Sequence, residues 1–212
     1  MPTRVHNRFT ESAAVSGRGY TLIEVMVIMG IVGVMAAVAI PGLQDSVERN
    51  ARESAVQDVM TAVQLTRSEA VAGARNVSIC RSTNQTSCAG GSGGADWNGG
   101  WIIFTDGGTA GTLGTGDTLL QVHGVGNNQS KITLKTSANG NFSGDYLQFD
   151  KDGFLRTSTT GAYFKFCDLD NITTKARAVW ISNTGRSALA IKTGGTSNDI
   201  YNDLAGADLV CP

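Results

Sequence analysis

Charge is scarce in this chain. Only 17% of its 212 residues are Asp, Glu, Lys or Arg, and seventeen basic side chains nearly balance eighteen acidic ones. A disordered chain kept open by self-repulsion and a nucleic-acid binder with a wholly basic surface both need more charge than this. Histidine is scarcer still, with only His6 and His123. No Ser/His/Asp order frames His123, so the side chains for a hydrolytic site are missing and no enzyme activity is expected. The four cysteines include no C-x-x-C pair, which argues against a zinc site. Asp150-Lys151-Asp152-Gly153 has the start of a calcium loop without its later acidic ligands. It reads better as an Asp-Gly hairpin turn between strands at 146–149 and 154–156. No cofactor and no metal follow from these residues. Only three prolines are present, and there is no internal repeat.

Glycine, by contrast, is abundant, with 27 residues that lie mostly after Gly73. Glycines among short apolar runs mark tight turns, so the second part of the chain reads as β-rich. Cys80, Cys88, Cys167 and Cys211 all fall in this part. Their even number points to two disulfides and an oxidising compartment. Three connectivities are open, of which the local pairs Cys80–Cys88 and Cys167–Cys211 are the simplest.

The N-terminal part has a different character. Residues 1–18 are polar and carry Arg4, Arg8 and Arg18 against Glu11, whereas residues 20–40 carry one charge, Glu24. As a helix those 21 residues would span about 31 Å, which matches a bilayer core of roughly 30 Å. The basic residues before it place its N-terminal side in the cytoplasm. An ordinary signal peptide could end at Ala37-Val38-Ala39, but the apolar run is too long for one and a carboxylate near its start is costly. A plain membrane anchor explains the length and leaves Glu24 without a purpose, although an intramembrane acid is by default functional.

Gly17-Arg18-Gly19-Tyr20-Thr21-Leu22-Ile23-Glu24-Val25 resembles the class III leader junction of type IV prepilins and type II secretion pseudopilins. The resemblance implies that prepilin peptidase cuts after Gly19 and methylates the new N-terminus at Tyr20, where an aromatic ring replaces the usual phenylalanine. Glu24 becomes the fifth mature residue, the family's assembly glutamate. An unpaired carboxylate in low dielectric costs several kcal/mol or takes up a proton. The free amine of a neighbouring subunit would neutralise it and set axial register.

After Pro41-Gly42, which should kink or loosen the helix, a second helical stretch runs over residues 44–72. Val47, Ala51, Ala55, Val59 and Val63, with Val56 and Met60 beside them, form its apolar stripe. Glu48 and Arg52 pair at i,i+4 on the polar side, and Gly73 is the expected C-terminal cap. Period-2 segments then predict strands at 77–80, 101–104, 119–122, 132–134, 146–149, 163–166, 179–182 and 188–191. The fold class is α+β: a long N-terminal pilin helix, membrane-spanning in its first half, packed on an antiparallel β-rich head. The divisions are a leader over 1–19, an assembly helix over 20–41, an amphipathic helix over 42–75 and a head over 76–212.

The head resembles the FimT/FimU/GspH branch of minor pilins and pseudopilins. The resemblance is carried by Leu65-Thr66-Arg67-Ser68-Glu69-Ala70, Val77-Ser78-Ile79-Cys80, Asp96-Trp97-Asn98-Gly99-Gly100-Trp101-Ile102-Ile103-Phe104, Phe149-Asp150-Lys151-Asp152-Gly153 and Trp180-Ile181-Ser182-Asn183-Thr184-Gly185-Arg186. It implies that Gly33 and Pro41 bracket a segment that unwinds on assembly. It implies, as partners, other major and minor pilins or pseudopilins, the peptidase and the bacterial inner membrane. The head is then periplasmic before assembly and part of a pilus or pseudopilus afterwards.

Trp97 and Trp101 have rings that can stack on a base or sugar, though packing beside a strand is their ordinary use. Some FimT-like members bind DNA through Gly-Arg-x-Arg, and Gly185-Arg186-Ser187-Ala188 keeps the first arginine and lacks the second. Loss of the leader leaves fourteen basic and seventeen acidic side chains, yet residues 131–192 hold nine basic against five acidic. Arg186, Lys192 and Arg177 are therefore the candidate contacts for weak, non-specific DNA binding. The leading reading is a minor type IV pilin, a structural subunit of the pilus tip or priming complex. The alternatives are a FimT-like DNA-binding pilin and a minor pseudopilin of type II secretion. Intact-mass analysis of membrane-extracted protein should find a chain beginning at N-methylated Tyr20, with Gly19→Ala blocking maturation. A chain beginning at Ile40 would establish an ordinary signal peptide.

Overall fold

The computed structural model describes residues 19–91, 94–126, 130–136, 142, 144–190, 209 and 211. The first element is a helix, α1, over Leu22–Gly73. Thr21 caps it, its hydroxyl accepting the Glu24 backbone N–H at 3.3 Å. The helix does not stop at Pro41. Proline removes its own N–H, but helix propagates residue by residue on either side, and the helical backbone continues through it. The chain divides into two units, residues 1–44 and 45–212.

In the first unit no described residue is buried. The α1 segment in it is apolar all round, with a mean hydropathy of 2.5 over its most apolar 18-residue window, long and apolar enough to cross a membrane.

In the second unit α1 buries one stripe: Val56, Val59, Ala62, Val63, Thr66 and Ala70, at helical spacing. The expected stripe begins earlier, but Val47 is exposed and Ala51 only half-buried. Arg52, expected on the polar side beside Glu48, is instead buried at 4% exposure, on the same side of the helix as Ala55 and Val56. The end of α1 also differs by one residue from expectation. Ala74 takes the left-handed position (φ 48°), with Arg75 N–H bonded to Ala70 O and Ala74 N–H to Val71 O. This is a Schellman cap in which alanine stands where glycine is preferred.

Among the described residues eight strands follow: β1 (Val77–Arg81), β2 (Trp101–Thr105), β3 (Leu119–His123), β4 (Ser130–Thr136), β5 (Tyr146–Phe149), β6 (Ala162–Asp168), β7 (Arg177–Ile181) and β8 (Ser187–Leu189). Eight of the nine expected strands are present, with ends shifted by up to two residues. They form two four-stranded sheets, ordered β3-β2-β1-β5 and β4-β6-β7-β8, and the strands of each pair run antiparallel. The expected strand at 154–156 is reduced to a single bridge between Phe149 and Leu155. The Leu155 N–H turns instead to Asn183 O in the β7–β8 turn.

Strand alternation explains the core. Ile79, Ile103, Leu147 and Phe149 of the first sheet join Ile132, Leu134, Phe164, Phe166 and Val179 of the second around the α1 stripe. The intervening residues line the outer faces. On the first sheet Cys80, Ile102 and Phe104 pack with Cys88, Leu113 and Tyr146. On the second, Tyr163, Cys167 and Ala178 pack with Ala190, Leu209 and Cys211.

Candidate assembly segment and head latches

Gly19 and Tyr20 lie exposed just before α1, and Glu24 lies exposed in its first turn. Gly33 is exposed with open space where a Cβ would stand, and Pro41 lies further along the same helical backbone. These positions share one apolar rod. Its single ionisable side chain is Glu24.

Two disulfides close the head, Cys80–Cys88 and Cys167–Cys211, the local pairs. Each starts from the outward face of a different sheet and holds a covering segment against that face. Loops of such size typically contribute a few kcal/mol when cross-linked.

Charged groups fasten α1 and the loops to the sheets. Arg177 Nε donates to Glu53 on α1 at 3.1 Å. Its Nη1 donates to Ala176 O at 3.0 Å. Lys175 lies 3.5 Å from Asp45 and 3.9 Å from Asp168, and the buried Arg52 lies 4.0 Å from Asp168. Burial, with Arg177 nearby, pulls the Arg52 guanidinium below its ordinary pKa, while Asp168, Glu53 and Glu48 oppose that pull. Sequence reasoning missed Arg52. The one available signal was its spacing of three and four residues from Ala55 and Val56.

A second latch, also missed, holds the Cys80–Cys88 loop. Arg81 ends β1, and its Nε lies 3.5 Å from the buried Asp145 carboxylate. Its Nη2 donates to Ala89 O at 3.1 Å. Asp145 occupies a left-handed conformation (φ 47°) just before β5, which Asp and Asn tolerate better than most residues. Burial pushes its carboxyl above the usual carboxylate range, and the Arg81 charge and hydrogen bonds from Arg81 and the Gly94 backbone only partly oppose this.

Two of the candidate DNA contacts, Arg177 and Arg186, lie at opposite ends of one strand. Arg177 begins β7 and is engaged with Glu53, whereas Arg186 is exposed in the turn beyond the other end of that strand. Lys192 lies outside the described residues. Trp97 and Trp101 are core residues. Trp97 meets Phe164 edge-on at 4.9 Å, and Trp101 stacks on His123 at 3.8 Å. His123 thus serves packing. No group of three or more metal-ligating side chains occurs among the described residues.

An exposed apolar rod leading into a disulfide-closed head of two antiparallel sheets is the architecture of a pilin-like subunit. Residues 55–185, well over half of the chain, match the family described as Type II transport protein GspH, and the chain belongs to that family of minor pilins and pseudopilins. Residues 16–40 match the prokaryotic N-terminal methylation motif. Type II secretion system core protein G of Pectobacterium carotovorum subsp. carotovorum is 41% identical over 44 residues, which span 21% of this chain and 28% of that protein. Among solved structures, the type IV minor pilin FimU of Pseudomonas aeruginosa is similar at 25% identity over 72% of this chain and 97% of that one, with a TM-score of 0.49. The minor pseudopilin EpsH of Vibrio cholerae is similar at 9% identity over 68% and 98%, with a TM-score of 0.43.

The raised Asp145 value has a signed consequence. Between the unfolded and folded pKa values the native state binds more protons than the unfolded one, so this group's contribution to stability falls as pH rises through that window. Asp145→Asn removes the titration, keeps the left-handed conformation accessible and leaves a pH-independent offset at Arg81. In paired denaturation curves, the stability of the parent relative to Asp145→Asn should decline from the ordinary carboxylate range upward and then level. A difference that is flat with pH, or that grows as pH rises, contradicts the assignment.

Proposed function

We propose that the chain is a minor type IV pilin, a structural subunit that enters the tip or priming complex and acts by assembling with other pilins. One observation carries this reading: a single helix whose first half is exposed and apolar, with Glu24 as its sole charge, and whose second half is the core of the head. Lipid or neighbouring helices are the surroundings in which such a rod is stable. Prepilin peptidase frees the Tyr20 amine after Gly19, and the Glu24 carboxylate of one subunit pairs with that amine on its neighbour. Gly33 and Pro41 weaken the helix between them, glycine through backbone entropy and proline through its missing N–H, which suits a segment that loosens on packing. The subunit waits in the inner membrane with its head in the periplasm and leaves it on assembly.

A second reading, a minor pseudopilin of type II secretion, is favoured by the match to the GspH family and by the core protein G relative. Both machines ask the same physics of this chain. Deleting the gene and scoring piliation, twitching and protein secretion side by side separates them: loss of pili with secretion intact supports the pilin, and the converse the pseudopilin. Glu24→Ala should leave the protein cleaved and membrane-inserted while lowering its recovery in sheared filaments. Normal recovery of that variant would remove the assembly role from Glu24.

A further inference from the structure

An open groove of about 690 Å³ lies where the last turns of α1 meet the β5–β6 and β7–β8 turns. Arg67 and Arg186 both line it, and neither is engaged by a carboxylate among the described residues. Arg67 is held in place: its Nε donates to Gly153 O at 3.1 Å, and it lies close against Gly153 and Gly185, which both need positive φ to make room for their turns. That contact uses the Nε–H of the guanidinium. Arg186 follows Gly185 directly and is exposed. Asp152 also lines it, with its carboxylate 3.0 Å from Lys151 Nζ. Val71 and Ala72 add an apolar part to the α1 side of the groove, beside Arg67.

We infer that this groove receives an acidic side chain, a glutamate or aspartate on the head of a neighbouring pilin-like subunit. Two guanidinium groups that line one cavity match a carboxylate, which accepts several N–H bonds at once. Val71 and Ala72 beside Arg67 suit the methylene stem of such a side chain. The rest of the head also disfavours a polyanion. From residue 45 onward it has fourteen basic and sixteen acidic side chains, and Arg177 is engaged with Glu53. Phosphate binding gains affinity by accumulating charges along a surface, whereas a lone carboxylate needs only this pair. The identity of the occupant rests on the assembly reading; the chemistry of the groove does not.

The test uses the full-length protein in detergent micelles with its arginine side chains isotopically labelled. It is titrated at low salt with a capped Gly-Glu-Gly-Glu-Gly peptide, with the glutamine version of that peptide and with a short DNA duplex. The Nε–H signals of Arg67 and Arg186 should shift saturably with the glutamate peptide and stay still with the glutamine one. Arg186→Gln, at an exposed site that leaves the fold intact, should weaken binding by about tenfold, the effect of one charge-assisted hydrogen bond. Unmoved signals, or an equal response to the glutamine peptide, overturn the proposal. A tighter response to the duplex at equal anion concentration overturns it in favour of phosphate. In cells, Arg186→Gln should be processed normally yet recovered severalfold less in sheared filaments. If the peptide binds while Glu24→Ala assembles normally, the groove chemistry stands and the Glu24 assembly role fails.

Discussion

Val56, Val59 and Val63 are the contact on which the rest of the head depends. These three side chains, at 1% exposure or less, lie on one stripe of α1 and join the inner residues of both sheets in a single cluster. Each such burial is worth about 1.5–3 kcal/mol, and the stripe repeats along four turns. Neither sheet has a complete inner face without it. Two four-stranded sheets with short strands are marginal alone, and a shared helix is what lets them form one core.

That arrangement has a cost that the outer faces resolve. A helix placed at the inner faces cannot cover the outer ones, where alternation puts Ile102, Phe104, Tyr163 and Trp180. Those faces are covered by chain rather than by a further layer. Cys80–Cys88 fixes one covering segment and Cys167–Cys211 the other, and the Arg81–Asp145 pair seats the first at its edge. The stripe ends where Arg52 lies beside Asp168. The described residues of the first unit form an apolar, largely exposed segment of α1.

Much of this was legible in the sequence because its signals are local. Glycine-rich turns located all eight strands, and the helical spacing of Val56, Val59 and Val63 located the inner stripe. The leader junction and Glu24 stood out because one charge in an apolar run is conspicuous. What stayed hidden depends on contacts distant in sequence. Arg52 reads as a surface residue until Asp168, more than a hundred positions away, is placed beside it. Asp145 gives no sign of burial, and Leu155 keeps a bridge to Phe149 while its N–H, on the far side, donates to Asn183 O in a distant turn. Gly73 was the obvious cap, yet the left-handed residue is Ala74. Pro41 reads as a helix breaker, yet α1 runs through it. Arg177 and Arg186 sit nine residues apart in a basic region, and the length of β7 separates them.

The central claim is that the first half of α1 exchanges one apolar environment for another on assembly while the second half stays in the head. Methionine oxidation tests it directly, because Met26, Met29 and Met35 are 63–68% exposed along the first half and Met60 packs against the core. Oxidation rates under dilute peroxide are compared between micelle-extracted protein and sheared filaments. The account predicts that Met26, Met29 and Met35 slow markedly in filaments and that Met60 is slow in both. Equal rates for the first three in the two states, or a Met60 that oxidises as fast as they do, would contradict it.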